Sequence, residues 1–404
     1  MAIRPILSAL LRNRAGAILV ALQIAITLSI IVNAIYLTQQ RVSKIGRPSG
    51  IDDQNIFASW ITSYEKDHDF LDMVREDMAM LRQMPEIIDA TPMQQVPLSG
   101  SGNSSNFYSL PDKKGESSPA NTYATDDHGV QTLGITLSAG KNFDANDVVY
   151  KKEGQKEPGY PPTTIISQGL ATALFKDQPA LGKNIYDDQS RPLRIIGVIS
   201  HMQGSWVGWD KVDRTMLYPQ LGPDPSTQYV IRTKPGSIER VIAAVEVALR
   251  KRDPNRVIET PMRKMSDMKR HSYAGDSLMA VTLTTVTGLV LVFSSLGIFG
   301  LATFNVNSRT RQIGTRRAVG ARKFDIVQYF LAENWLITTV GVVVGCCLAL
   351  AAGYWLSTQY QLPRLDLYYL VGGVAGLWAL GQLAAWQPAL RAAQVSPAMA
   401  TRNI

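Results

Sequence analysis

Four long apolar runs constrain the fold of this chain more than any other feature of its sequence. They cover residues 17–37, 278–304, 335–356 and 367–386, and none of them contains an acidic or a basic residue. Each is long enough to cross a lipid hydrocarbon core, which takes about 20 residues in a helix. The sequence therefore predicts a membrane protein with four transmembrane α-helices and a large extracytoplasmic domain formed by residues 38–277.

The first run is predicted to be an uncleaved anchor, because it is longer than the roughly 7–15 apolar residues of a signal peptide. Arg4, Arg12 and Arg14 precede it, and no acidic residue occurs before Asp52. Since positively charged flanks stay in the cytoplasm, we expect residues 1–16 there. Four crossings then return the C-terminal tail, residues 387–404, to the same side.

Positive charge is concentrated in the short segment 305–334, where six basic residues are opposed only by Asp325 and Glu333. The segment 38–277 carries 29 basic and 30 acidic residues, although the whole chain has a net charge of +8. The excess is therefore confined to the side predicted to be cytoplasmic. This distribution explains the basic composition, and no nucleic-acid partner is expected.

The segment 38–277 shows two β-α-β patterns around an inserted block. Apolar residues spaced by three and four predict helices over 64–84 and 238–249. The flanking strand-like segments are 55–62, 87–96, 228–233 and 256–259. This order indicates an α+β domain with a split ferredoxin-like lobe, about 50–96 and 221–261.

The inserted block, about 97–220, is predicted to be a mainly β lobe. It contains a helix near 167–175, strands near 193–199 and 215–218, and polar, turn-rich loops at 99–119 and 150–162. A stalk helix, 262–277, follows and leads into the second apolar run. If it is helical as far as Gly320, it is about 90 Å long at about 1.5 Å per residue, with Gly275 as a candidate break.

No residue pattern predicts catalysis or a bound cofactor. A P-loop needs G-x-x-x-x-G-K-[ST], and the nearest segment, 181–184, lacks the first glycine and the hydroxyl residue. The four histidines lack metal-ligand spacing, and no G-x-S-x-G motif occurs. We expect no enzyme activity, no metal and no cofactor in this chain. Trp206 and Trp209 either form an external contact for an apolar ligand or partner, or pack a turn.

Small residues occur at several positions within the apolar runs. Cys346 and Cys347, both cysteines of the chain, lie in the third run and are predicted to be packing residues rather than a redox pair. Glycines recur at spacings of three or four, at 297 and 300, 341 and 345, and 372 and 376. Such glycines allow helices to approach closely in lipid, either within the chain or against a second permease subunit.

The basic segment 305–334 is predicted to form an elbow with a short amphipathic helix after Gly320. Phe324, Val327, Phe330 and Leu331 form its apolar face, and Arg322, Lys323 and Asp325 stay polar. This helix is either an interfacial anchor that sets topology or a docking helix for a soluble motor. Gly314 and Gly320 would relieve crowding at the bend.

Several stretches resemble a known family. The stretch RTRQIGTRRAVGARKFDIVQYFLAENWLITTVGVVVG resembles the FtsX-like permease signature of MacB-type ABC transporters. The closing QPALRAAQVSPAMATR resembles the C-terminal signature of that family, with Pro388, Arg391, Ala392, Ala393 and Pro397 in place. In the external segment, VQTLGITLSAGKNF, ISQGLATALFKDQPALGKNI and LRIIGVI resemble the MacB-type periplasmic core.

This resemblance implies a non-catalytic permease subunit in a bacterial inner membrane. It implies a second permease, identical or paralogous, two cytoplasmic ABC ATPase subunits that hold ATP and Mg, and a periplasmic adaptor, all working in contact with membrane lipid. ATPase closure would pass through the elbow and the second helix to the external domain, a mode called mechanotransmission. The elbow residues implied in coupling are Arg309, Arg311, Gln312, Gly314, Arg316, Arg317, Ala318, Gly320, Ala321, Arg322, Lys323, Phe324 and Asp325.

Two features depart from the family pattern. Gln312 stands where the family usually has Glu, so an ion-pair role there is not expected. The family member MacB carries its ATPase in front of the first crossing, and we expect a separate ATPase here.

The function expected from this resemblance is export or expulsion of a small amphipathic compound or peptide. The alternatives are a lipoprotein-releasing, LolC-like permease and an FtsX-like regulator or signalling protein that does not transport.

Overall fold

The computed structural model describes residues 14–64, 70–151, 159–222, 224–360 and 365–396. These residues form two compact units, which we call the α+β unit (Arg47–Gly275) and the helical unit, made of the described residues on either side of it. The α-helices are α1 Arg14–Ile45, α2 Phe70–Arg82, α3 Gly129–Leu133, α4 Gln168–Phe175, α5 Ile238–Arg252, α6 Met265–Ser272, α7 Ala274–Ser308, α8 Thr310–Ala318, α9 Lys323–Tyr360 and α10 Leu367–Ala393. The strands are β1 Ile56–Thr62, β2 Ile87–Met93, β3 Asn103–Leu110, β4 Lys114–Thr125, β5 Leu137–Gly140, β6 Val149–Tyr150, β7 Thr163–Ser167, β8 Asn184–Tyr186, β9 Pro192–Ile199, β10 Thr215–Leu221, β11 Ser226–Thr233, β12 Val257–Ile258 and β13 Arg263–Lys264.

Helices α1, α7, α9 and α10 are each long and apolar enough to cross a membrane. Buried Ile24, Leu28 and Val32 of α1 form a shared core with Ile337 and Leu377 of α9 and α10. These helices and the large α+β unit confirm the predicted fold class.

Three of the six membrane glycines singled out in the sequence pack within the chain. A Cβ atom on Gly297 would lie 2.4 Å from the Gln23 side-chain oxygen. A Cβ atom on Gly341 would lie 2.7 Å from the Ala21 carbonyl oxygen, and one on Gly345 would lie 3.0 Å from Ala25 Cα. Glycine at these positions therefore lets α9 lie directly against the backbone of α1. In contrast, no described atom lies within 4 Å of such a Cβ at Gly300, Gly372 or Gly376. A contact of those glycines with a second permease stays a prediction.

The first lobe of the α+β unit is a sheet in the order β12-β1-β11-β2, with β13 also paired to β1. Helices α2 and α5 cover one face, where Phe57, Met78, Leu81, Val245 and Tyr229 are buried together. The chain order β1-α2-β2 and β11-α5-β12 is that of the predicted split ferredoxin-like lobe. Residues 65–69 of the predicted first helix lie outside the described residues.

The inserted lobe contains a second sheet in the order β4-β3-β8-β9-β7-β10-β6, and β4 also pairs with β10. Phe107, Ile166, Leu170, Ile195 and Met216 form its core beneath α4. The predicted polar loop at 99–119 is wrong, because β3 and β4 form a long hairpin there. Most side chains of β3 are exposed, so this strand lacks the apolar alternation that marks a strand in sequence. Most of the predicted loop at 150–162 is not described.

The stretch considered as one continuous helix, residues 262–320, is interrupted, and its first helix begins at Met265. It is divided into α6, α7 and α8, with breaks at Tyr273 and Arg309, where the backbone leaves helical geometry. Both break residues use their side chains in buried contacts: the Tyr273 hydroxyl donates to Gln203, and Arg309 pairs with Glu333. Gly275, the break suggested by the sequence, lies inside α7.

Candidate functional site

The elbow consists of α8, a four-residue turn and the first turns of α9. Gly320 has φ +105°, a conformation that side-chain-bearing residues rarely adopt. The Ala321 amide donates to the Arg316 carbonyl (3.1 Å), and the Gly320 amide donates to the Arg317 carbonyl (3.2 Å). These two bonds form a Schellman motif, which ends α8 and satisfies its last carbonyls.

The next helix starts directly after this turn. The Asp325 carboxylate accepts a hydrogen bond from the Arg322 amide (2.9 Å). An acidic side chain in the first turn also complements the positive end of the helix dipole. Helix α9 then continues from Lys323 to Tyr360 without a break, so the amphipathic helix predicted after Gly320 is the beginning of a membrane-length helix. The separate short helix of the elbow is α8.

A small apolar cluster fixes the elbow. Ile313 of α8 and Val327 and Phe330 of α9 are buried with Ala389 and Ala392 of α10. Phe324, which the sequence places on the same apolar face, is instead 66% exposed. It belongs to the first turn of α9 and is not part of this cluster.

Three of the predicted basic residues make contacts within the elbow. Arg309, at the break between α7 and α8, pairs with buried Glu333 (Nη1 to Oε2, 2.9 Å). Arg317 donates to the carbonyl oxygens of Ala393 (3.1 Å) and Val395 (2.8 Å) at the end of α10. Arg316 lies over the Tyr329 ring, 4.6 Å from its centroid. These cations therefore connect α8 to the two membrane-length helices that follow it.

The remaining predicted residues divide by exposure. Gly314 is buried and Ala321 is half-buried. An exposed group, which we call the elbow tip, contains Arg311, Gln312, Ala318, Val319, Gly320, Arg322, Lys323, Phe324 and Asp325. Val319 is 85% exposed and was not predicted, although its position just before Gly320 places it in the turn. The tip presents two apolar side chains, Val319 and Phe324, among exposed cations.

The C-terminal signature residues support the elbow from α10. Pro388, Ala392 and Ala393 are buried, and Arg391 is exposed. Pro397 lies outside the described residues. Because the small side chains belong to the same cluster as Ile313 and Phe330, the end of α10 is part of the elbow core.

The other predicted positions do not add a second site. Trp206 and Trp209 pack edge to face, with ring centroids 6.2 Å apart, and the Trp209 amide donates to the Trp206 carbonyl. This geometry favours the turn-packing interpretation. Cys346 and Cys347 are both free. Across the part of the chain that the structure describes, no group of three or more His, Cys, Asp or Glu residues could hold a metal ion.

Four membrane-length helices, a large α+β unit inserted after the first, and an elbow between the second and third define an integral membrane protein of the permease class. Comparison with protein families gives two matches: "MacB-like periplasmic core domain" over residues 17–248 and "FtsX-like permease C-terminal" over residues 284–397. The chain belongs to the family of MacB-like, FtsX-like ABC transporter permeases. The α+β unit is accordingly its extracytoplasmic domain.

Curated relatives include the "Macrolide export ATP-binding/permease protein MacB" of Neisseria gonorrhoeae, 23% identical over 407 residues, covering 98% of this chain and 60% of the relative. The protein of the same description from Bradyrhizobium diazoefficiens is 26% identical over 282 residues, covering 67% of this chain and 41% of the relative. The chain thus spans about three fifths of the length of the first of these.

Two solved structures match part of this chain, both with low TM-scores. The periplasmic region of MacB from Actinobacillus actinomycetemcomitans matches with a TM-score of 0.33 and 16% identity, covering 57% of this chain and 97% of that one. The extracellular domain of the noncanonic ABC-type transporter YknZ from Gram-positive bacteria matches with a TM-score of 0.32 and 14% identity, covering 50% of this chain and 100% of that one.

Proposed function

We propose that this permease couples ATP hydrolysis by a cytoplasmic ABC ATPase to movement of its extracytoplasmic domain, and so exports or expels a small amphipathic compound or peptide. The ATPase binds ATP and Mg, and the permease works as a pair with an identical or paralogous chain and with a periplasmic adaptor. Both termini and the elbow face the cytoplasm. The description of the curated relatives as macrolide export proteins supports this class of substrate.

The observation that carries the proposal is the elbow tip. Val319 and Phe324 are large apolar side chains that remain exposed in the turn before α9 and in the first turn of α9, among Arg311, Arg322 and Lys323. Exposed apolar side chains with a charged rim are typical of protein contact sites. A soluble ATPase that docks here would bury both side chains.

The contacts behind the tip support its role as a lever. Arg309 binds Glu333 of α9, and Arg317 binds the carbonyl oxygens of Ala393, the last residue of α10, and of Val395 just after it. Because these charged groups are partly or fully removed from water, breaking either contact would be costly. A push on the tip is therefore passed to the membrane helices instead of being absorbed by the turn.

The docking role is tested by Phe324→Glu in the permease reconstituted with its ABC ATPase. We expect ATPase binding in the nucleotide-trapped state to weaken about 30-fold, as for loss of an interface hot spot, and transport to fall with it. The matched control is Leu110→Glu, since Leu110 is similarly exposed (53%) but lies on the β3–β4 hairpin.

Two results would contradict the proposal. Normal ATPase binding and transport by Phe324→Glu would remove the elbow tip from the docking surface. Retention of outer-membrane lipoproteins in the inner membrane of a deletion strain, with unchanged efflux of amphipathic compounds, would assign lipoprotein release instead.

A further inference from the structure

A single fully buried glutamine, Gln203, binds both ends of the extracytoplasmic domain. Its side-chain amide donates to the carbonyl oxygens of Pro48 (2.7 Å) and Arg47 (3.1 Å). Its side-chain oxygen accepts a hydrogen bond from the Tyr273 hydroxyl (2.8 Å). The Gln203 backbone amide donates to the Ser49 carbonyl (2.9 Å). Both amide hydrogens and the carbonyl oxygen of the side chain are therefore in use.

The partners of Gln203 occupy special places in the chain. Arg47 and Pro48 follow the end of α1, which is the first candidate membrane span. Tyr273 directly precedes α7, the second span, and forms the break between α6 and α7. Gln203 itself comes from the inserted lobe, in the connection between β9 and β10. One side chain thus connects the exit from one span, the entry to the next and the inserted lobe.

Neighbouring contacts extend this junction to the link between the two lobes. The Ser272 hydroxyl donates to the Leu98 carbonyl (2.6 Å), and the Leu98 amide donates to the Gly204 carbonyl (3.3 Å). The Gly100 amide donates to the Ser205 carbonyl (3.0 Å). Residues 96–100, which connect the first lobe to the insert, are therefore held by the same segment that carries Gln203.

Two further features tighten the junction. Lys269 of α6 pairs with buried Asp53 (Nζ to Oδ2, 2.6 Å), and Asp53 also accepts from the Ser49 hydroxyl (2.9 Å). Gly50 has φ +78°, and a Cβ atom there would lie 2.1 Å from the His201 carbonyl oxygen. Backbone thus lies directly against backbone on the α1 side of the junction.

These observations point to a mechanical role. A buried amide that loses its hydrogen-bond partners remains shielded from water, which is energetically unfavourable. The segments that carry Pro48, Gln203 and Tyr273 therefore resist separation. We propose that Gln203 and Tyr273 form a joint, the Gln203 joint, that passes displacement of α1 and α7 to both lobes of the extracytoplasmic domain. This inference rests on the proposed function, and it makes the two residues positioning residues rather than binding residues.

The test is hydrogen–deuterium exchange on the complete permease–ATPase complex in nanodiscs, with ADP and after vanadate trapping. In the wild type we expect trapping to change exchange both at the elbow, residues 309–325, and in the lobes, residues 96–126. Tyr273→Phe should keep the elbow response and reduce the lobe response about fivefold, the factor for loss of one hydrogen bond. Gln203→Leu removes three side-chain hydrogen bonds and should reduce the lobe response further, again with the elbow response kept. The double variant should behave like Gln203→Leu, because the hydrogen bond between Tyr273 and Gln203 is already absent there.

The control is Tyr108→Phe, which removes a phenol hydrogen bond to Asp188 on the exposed hairpin and should leave both responses unchanged. If Gln203→Leu does not assemble, Tyr273→Phe alone carries the test, since it keeps the ring and removes only the hydroxyl. A wild-type elbow that does not respond to trapping overturns the proposed function and the joint with it. A lobe response of full size in the variants overturns the joint alone.

Discussion

At the scale of single residues, Gly320 decides the shape of the elbow. The Schellman motif needs a residue with positive φ directly after the α8 cap, and Gly320 supplies it at φ +105°. No described atom lies within 4 Å of a Cβ built there, so a side chain at this position meets no obstacle in the permease itself. The requirement for glycine therefore comes from the backbone conformation.

Gly320→Val should disturb the turn without preventing membrane insertion. Placing a residue with a Cβ in the left-handed region costs about 1–2 kcal/mol, so ATPase affinity should fall about 5- to 30-fold. The measurement is ATPase binding by the purified permease, with membrane insertion checked in parallel. Gly208→Val is the control, since Gly208 is equally open but has no positive φ. If Gly320→Val binds the ATPase with wild-type affinity, the turn can adopt another backbone conformation without weakening ATPase binding.

Residue-level prediction from sequence worked where the cause is local. Gly320 lies at the bend, as predicted, because glycine tolerates the positive φ that ends α8. The exposure of Phe324 could not be derived in this way, because helical periodicity groups it with Val327 and Phe330. Only the packing of α8 and α10 shows where the buried cluster ends.

At the scale of elements, a buried charge cluster joins the first lobe to the inserted lobe. Arg82 of α2 binds Asp126, which follows β4 (2.6 Å), and Thr91 of β2 binds the other oxygen of Asp126 (2.5 Å). His128 Nδ1 donates to Asp89 of β2 (2.8 Å). Two nearly buried carboxylates thus share one arginine and one histidine.

This cluster predicts that the extracytoplasmic domain loses stability as pH rises. The hydrogen bond to Asp89 raises the pKa of His128, although burial and Arg82 oppose the shift. When the pKa of a group is higher in the folded state than in the unfolded state, its contribution to stability is complete below the unfolded-state pKa, which is about 6.5 for histidine. This contribution is lost as pH rises through the folded-state pKa. Burial also raises the pKa of Asp126, which acts in the same direction at lower pH.

Thermal unfolding of the detergent-purified protein measures this effect. The unfolding temperature of the wild type should fall between pH 6 and pH 8, and His128→Gln should lose most of that slope. His201→Gln is the control, because the His201 ring binds the Pro48 carbonyl oxygen (2.7 Å) rather than a carboxylate. Equal slopes in the wild type and His128→Gln would mean that His128 is not protonated in the folded state.

At the scale of the whole molecule, the sequence predicts those parts of the fold that leave a hydropathy pattern within one continuous segment. The four apolar runs and the amphipathic periods of α2 and α5 identify the membrane helices and the ferredoxin-like lobe. The β3–β4 hairpin is missed because most side chains of β3 are exposed and lack apolar alternation. The helix breaks at Tyr273 and Arg309 are missed because they depend on tertiary contacts. Gln203 lies 70 positions from Tyr273, and no periodicity shows that contact.

The Arg309–Glu333 pair provides a test of transmission through the membrane helices. Arg309 lies at the break after α7, and its 2.9 Å contact with Glu333 of α9 joins the two helices at the base of the elbow. Glu333→Gln removes one charge of a nearly buried pair, which typically costs about 3–5 kcal/mol when the other charge is left unpaired. The elbow tip itself is unchanged in this variant, so the affinity for the ATPase should remain within about twofold of the wild-type affinity. A twofold change is well below the tenfold change that about 1.4 kcal/mol produces.

Transport per ATP hydrolysed should therefore fall in Glu333→Gln while ATPase binding persists, measured on the same proteoliposomes. Glu246→Gln serves as the matched control, because it neutralises the glutamate of an exposed ion pair, Arg250–Glu246, on α5. The charge-reversed double variant Arg309→Glu with Glu333→Arg should recover part of the transport, which a merely destabilised fold would not do. If Glu333→Gln transports as efficiently per ATP as the wild type, force does not pass between α7 and α9 through this pair. The contacts of Arg317 with carbonyl oxygens at the end of α10 then become the route from the elbow into the membrane helices.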